Sequence, residues 1–184
     1  MKTLLLQVLL TFALASVLTA QTCREVVRDA SGRIVQTIER QKQAGGTERV
    51  VTRDASGRIT GTATTRPNAG GSAHTEFRDA SGRITGSAST RHTTGSSSQT
   101  TYRDAKGRMT GSADTRTSSG TGGRTQYRDT SGRITGTTTT GGNPAGTVTG
   151  IRRDASGRVT GTSSGSRRCQ KAAPPTLPPS GAKR

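Results

Sequence analysis

Bulky apolar residues do not cluster in this chain; they recur. Ile34, Ile59, Ile84, Met109, Ile134 and Val159 stand 25 residues apart. An Arg-Asp pair keeps the same step at Arg28, Arg53, Arg78, Arg103, Arg128 and Arg153. Between these markers, small and polar residues alternate. Residues 58–65 read Arg-Ile-Thr-Gly-Thr-Ala-Thr-Thr, the period-two pattern of a half-buried strand. Strict alternation places Ile59, Gly61 and Ala63 on one face and Thr60, Thr62 and Thr64 on the other. A shorter β-prone segment precedes each marker, as in Thr75-Glu76-Phe77-Arg78 and Thr125-Gln126-Tyr127-Arg128. Asp-Ala-Ser-Gly lies between the two segments, at 54–57, 79–82 and 154–157. There the aspartate accepts bonds from amides ahead of it, and glycine supplies the positive φ that closes a bulged hairpin. A three-residue loop would pair Asp with Arg, whereas a four-residue loop would pair the aromatic with Ile; the pattern leaves both open.

Each unit therefore predicts two strands and two turns, with Gly-, Ser-, Pro- and Asn-rich connections such as 66–72 and 117–123 returning the chain. The expected fold class is all-β: six 25-residue β-hairpin repeats forming an antiparallel meander or solenoid-like strip over 26–165. Gly61, Gly86, Gly111, Gly136 and Gly161 share one repeat position, where a missing side chain lets another backbone or a ring lie close. The aromatic position holds Phe77, Tyr102 and Tyr127, but Val27, Thr52 and Arg152 in the other units. Those outer units read as caps.

The flanks differ in kind. Met1, Lys2 and the apolar run 4–20 outline a signal peptide (1–20) with cleavage near Ala20. The expected location is then secreted, periplasmic or cell-surface. Residues 21–25 form a short cap carrying Cys23, and 166–184 a basic, Pro-rich tail expected to be disordered. After Ala20, Leu, Ile, Val and Phe make up 15 of 164 residues, far below the share a conventional core needs. One Ile, one aromatic and a few methyls cannot offset the entropy of ordering a 25-residue unit. Order, if it forms, must come from neighbouring units and shared backbone ladders.

The Asp-Ala-Ser-Gly-Arg-Ile-Thr-Gly units resemble the YD or RHS repeat family, whose units read roughly Tyr-Asp-x-x-Gly-Arg-Leu. That resemblance implies β-hairpins. It implies no encapsulated domain, because here an arginine separates the aromatic from the aspartate, the array is short, and no long C-terminal segment follows Cys169. Small secreted proteins of Tyr-Arg-Asp-Ala-Ser-Gly units are the nearer likeness.

Candidate chemistry is sparse. Cys23 and Cys169 flank the array and fit a disulfide in an oxidising compartment. An internal bridge needs the ends of the array to meet; a straight strip would favour inter-chain bonds and self-association. His74 and His92 fall at non-equivalent positions, and no metal, cofactor or catalytic motif is expected. The formal net charge of +17 instead points to anionic partners: acidic glycans, lipopolysaccharide or extracellular DNA. The contact residues expected are Arg53, Arg58, Arg78, Arg83, Arg103, Arg108, Arg128, Arg133, Arg153 and Arg158. Two other readings are a threonine array matching ice or another crystal surface, and a disordered cationic peptide.

Overall fold

A computed structural model describes residues 22–93, 95–118 and 122–166. The signal-peptide, tail and Cys169 expectations lie outside the described residues. The chain forms twelve strands: β1 (Thr22–Asp29), β2 (Ile34–Lys42), β3 (Glu48–Asp54), β4 (Ile59–Pro67), β5 (Ala73–Asp79), β6 (Ile84–His92), β7 (Ser97–Asp104), β8 (Met109–Thr117), β9 (Gly123–Arg128), β10 (Ile134–Gly142), β11 (Thr147–Asp154) and β12 (Val159–Ser166). Every consecutive pair is antiparallel, as the alternation predicts. The sheet does not remain a strip, however. β1 pairs with β12, Glu25 opposite Gly165 and Asp29 opposite Gly161, so the meander closes into a barrel. Closure removes both sheet edges, each of which would otherwise present a row of unpaired amides and carbonyls. Cys23 falls within β1, which is in line with the array.

The hairpin register is the three-residue alternative. In the second unit the Asp54 amide donates to the Arg58 carbonyl (2.9 Å), and the Gly57 amide donates to the Asp54 carbonyl (3.1 Å). Gly57 has φ of 85°, the left-handed conformation that a residue without Cβ adopts freely. One residue later the register slips: Thr52 faces Gly61 while Arg53 faces Ile59, which leaves Thr60 as a β-bulge. The same slip occurs in all six hairpins. This bulge corrects the face assignment made from alternation. An extra residue on one strand resets the two-residue period, so Ile59 does not share a face with Gly61 and Ala63. Ala63 packs on the core, whereas Ile59 is 44% exposed.

Inside, each aromatic lies opposite the glycine of its own hairpin and the alanine of the preceding unit. Tyr102 faces Gly111 on β8 and Ala88 on β6. Phe77, Ala88, Tyr102, Ala113 and Tyr127 form one buried cluster. Threonine pairs continue it toward the far end, each joining a buried to a half-buried residue, with Oγ1 atoms of Thr75 and Thr65 at 2.8 Å and of Thr100 and Thr90 at 2.9 Å. The glycine position is required by backbone, not by the rings. A Cβ on Gly111 would sit 2.5 Å from the Arg128 carbonyl oxygen, and one on Gly136 2.7 Å from that of Arg153. Around the closing seam the interior changes character. Ile38, Val50 and Val148 are buried there, along with Arg40, Glu25 and Glu48. Arg40 bonds Glu25 at 3.2 Å and pairs with Glu48 at 3.8 Å.

Candidate functional site

Because hairpins alternate direction, the six Asp turns fall on one rim of the barrel. The five other connections and both ends of the described barrel fall on the opposite rim. The turn rim thus carries six copies of Arg-Asp-x-x-Gly-Arg (Lys106 adds a cation in the fourth). Twelve arginines and one lysine meet six turn aspartates, a surplus of seven positive charges within the turns, which Glu39, Glu76 and Asp114 beside them reduce to four.

Those aspartates are committed to the turns. Asp54 Oδ1 accepts the Ser56 amide at 2.9 Å, the Ser56 hydroxyl at 2.7 Å and the Arg58 amide at 2.9 Å. The Ser hydroxyl is the main cause holding the carboxyls of Asp29, Asp54, Asp79 and Asp154 below the ordinary carboxylate value. For Asp104, whose turn has Lys106 instead of serine, the Arg108 backbone amide leads and the Arg108 guanidinium assists. These carboxylates stay ionised and stay inside their own turns.

The two arginine rows differ. The arginine before each turn clamps it: Nη1 donates to the turn glycine carbonyl from Arg53 (3.0 Å), Arg78 (2.7 Å), Arg103 (2.8 Å), Arg128 (2.9 Å) and Arg153 (3.0 Å). Arg28, absent from the expected set, makes the same bond to Gly32 at 2.9 Å. Acidic neighbours reach three of this row: Glu39 with Arg53 (3.4 Å), Glu76 with Arg78 (2.7 Å) and Asp114 with Arg128 (3.5 Å). The arginine after each turn is the freer one. Arg58, Arg83, Arg133 and Arg158 are exposed, and their guanidinium groups make no ion pair or hydrogen bond among the described residues. Arg108 alone in this row reaches its own Asp104, at 2.8 Å. Arg33 holds the equivalent place in the first unit. The 25-residue step would have included Arg28 and Arg33 had it been carried back one unit.

Two features lie away from the rim, and sequence reasoning missed both. The Arg40–Glu25–Glu48 group occupies the seam interior, where burial pushes the Glu48 carboxyl up against the opposing pull of Arg40. Its only sequence signal is an arginine where the next four units have Thr65, Thr90, Thr115 and Thr140 and the sixth has Gly165. On the outer wall of β4–β7, near the opposite rim, Arg66, His74, Arg91, Gln99 and Thr101 line a shallow cleft of about 620 Å³. His92 is exposed beyond it. Cys23 is partly buried and carries no disulfide among the described residues.

The fold and its rim define a class: a closed all-β repeat barrel with a cationic turn ring. No protein-family model matches the chain, and neither a curated protein nor a solved structure does.

Proposed function

We propose that this is a secreted, non-enzymatic repeat protein that binds anionic polymers at the cell envelope through its turn rim. Acidic glycans, lipopolysaccharide and extracellular DNA share the chemistry that the rim would recognise. The observation that carries the reading is the division of labour on the rim. Aspartate charge is consumed within the turns, while a row of exposed guanidinium groups is left for an outside anion. Arginine forks suit sulfate, phosphate and carboxylate alike, and repetition around a ring raises the local potential above that of scattered charge. The outward Thr62, Ser87, Ser112 and Thr137 each stand opposite an arginine of the next strand. That alternation on a curved wall favours anion binding over the flat hydroxyl surface that an ice binder needs. Export after cleavage near Ala20 and a Cys23–Cys169 bridge belong to the same reading.

The test is substitution of Arg58, Arg83, Arg108 and Arg133 with Gln in the mature chain. Retention on a heparin column at moderate salt should be abolished while the thermal melt changes little, because Arg58, Arg83 and Arg133 make no side-chain bond to their turns and Arg108 makes only an exposed one, to Asp104. Unchanged retention removes the rim from the account.

A further inference from the structure

The turn rim carries a second ring. Ile34, Ile59, Ile84, Met109, Ile134 and Val159 are each 40–47% exposed, and each sits directly across the hairpin from a turn-clamping arginine: Ile59 from Arg53, Ile84 from Arg78, Met109 from Arg103. All six therefore lie at one height, just beneath the turns. In a chain so short of apolar residues, most large hydrophobics after the signal segment would be expected inside. Here the repeat places one on the outside every time, beside a guanidinium. On the seam side the ring thickens at Val35, which is 43% exposed beside Ile34.

We infer that this rim docks on an anionic lipid layer, with phosphate headgroups on the turn arginines and the apolar ring packed in the headgroup region just behind them. The inference rests on the rim reading above and names its partner. Charge selects the occupant. A second copy meeting rim to rim would bring together two faces that both carry surplus positive charge, whereas an anionic lipid surface offers phosphates to the turns and an interfacial layer to the apolar ring behind them. Amphipathic surfaces of this kind bind through buried apolar area together with attraction to anionic lipid. The barrel rests on the layer and does not span it. Further down the wall the outward positions hold Glu76, Ser87, Thr101, Ser112 and Gln126, with Ile151 a single apolar exception at the level of Gln126, where a transmembrane barrel would carry a continuous apolar band.

The mature chain is mixed with phosphatidylglycerol–phosphatidylcholine vesicles and with phosphatidylcholine vesicles, and co-sedimentation is measured. Binding should require the anionic lipid. The variant Ile59→Thr/Ile84→Thr/Met109→Thr/Ile134→Thr places a strand-compatible β-branched side chain at each exposed position, and it should bind these vesicles at least about tenfold more weakly with unchanged heparin retention. Equal vesicle binding by parent and variant overturns the inference. A parent retained on heparin but not bound by anionic vesicles also overturns it and leaves the anionic-polymer reading in place; loss of both removes the rim altogether. A concentration-dependent dimer that the variant abolishes, without vesicle binding, overturns it in favour of a second copy. Should the quadruple variant fail to fold, Ile84→Trp provides a single reporter, since the chain has no tryptophan. Its emission should shift blue on anionic vesicles and be quenched by brominated acyl chains; emission that stays unshifted and unquenched likewise overturns the proposal.

Discussion

Glycine serves two different purposes in each repeat, and substitution separates them. Gly107 closes its turn at φ 79° with nothing within 4 Å of where a Cβ would project. Gly111, four residues on, has ordinary backbone geometry, but its Cβ would lie 2.5 Å from the Arg128 carbonyl oxygen, inside the 3.0 Å that real Cβ atoms respect. The atom in the way is backbone on the neighbouring strand, so relief requires moving the β8–β9 ladder. Overpacking of that kind costs about 1–3 kcal/mol, and with no flexible side chain to give way the upper part of the range applies. Alanine at Gly107 also costs, about 1–2 kcal/mol, for forcing a Cβ into the left-handed region.

Asparagine tells the two apart. It tolerates the left-handed conformation, so Gly107→Asn should cost well under about 1 kcal/mol, while Gly111→Asn should cost at least as much as Gly111→Ala. Gly141, in β10 with open space around it and no positive φ, is the control; Gly141→Ala should stay within about 0.5 kcal/mol. With about 2–4 °C per kcal/mol expected for a domain of this size, Gly111→Ala should lower the midpoint of a thermal melt by up to about 10 °C and Gly107→Asn by no more than a few. Circular dichroism in the β-band reads this directly. If Asn rescues both positions equally, glycine is needed only for conformation, and the close approach of the Arg128 carbonyl is refuted.

Three more outcomes follow from the interior, the turns and the ends. Arg40→Met strands Glu25 and Glu48 in the seam without their cation and should cost about 3–5 kcal/mol at neutral pH in urea unfolding. The folded Glu48 carboxyl already takes a proton more readily than an exposed one, so this loss should shrink as pH falls; a pH-independent loss would show that the pair is not what is broken. The turn carboxylates have the opposite sign. Their folded values are depressed, so their stabilisation is complete above the ordinary carboxylate value of 3.8 and is lost as pH falls beneath it. Asp54→Asn/Asp79→Asn/Asp154→Asn keeps an acceptor oxygen in each turn and should flatten the acid limb of a melting-temperature–pH curve; an unaltered limb counts against charge in the turns. Finally, a Cys23–Cys169 bridge across the closed seam would restrain a loop long enough to contribute up to about 5 kcal/mol in the chain-entropy estimate. Reductant should then lower the melting temperature of an otherwise monomeric chain, and disulfide-linked dimers on a non-reducing gel would contradict the internal bridge.

Much of the local structure is written in the residues. The Asp-x-x-Gly turn, the pairing of two strands across it and the need for glycine at 61, 86, 111, 136 and 161 all follow from local chemistry repeated at a fixed step. Alternation failed at one place, the bulge at Thr60 and its counterparts, because period two has no way to register an extra residue whose cost is met by twist. That single residue decides whether Ile59 joins the core or the outer rim. The arginine ring was legible as a set of residues but not as a ring, since position on a common rim depends on closure.

Closure itself is a property of the whole array. Each hairpin adds the right-handed twist of its strands and the extra bend of its bulge, and a 25-residue period specifies these increments without saying where they sum to a full turn. The units that meet at the seam nevertheless carry its signature. Val27, Thr52 and Arg152 replace the aromatics in the first, second and sixth units; read as a strip, this looks like wear at the ends. In the barrel those units are neighbours, and their interior is filled by Ile38, Val50, Val148 and the Arg40 group in place of rings. Departures from the repeat at the two ends of the chain are therefore one feature in space. The Glu25–Arg40–Glu48 group is local to β1, β2 and β3 and would form in a strip as well; what closure adds is the last unit, since Glu25 stands opposite Gly165, which in turn faces the buried Val148 of β11.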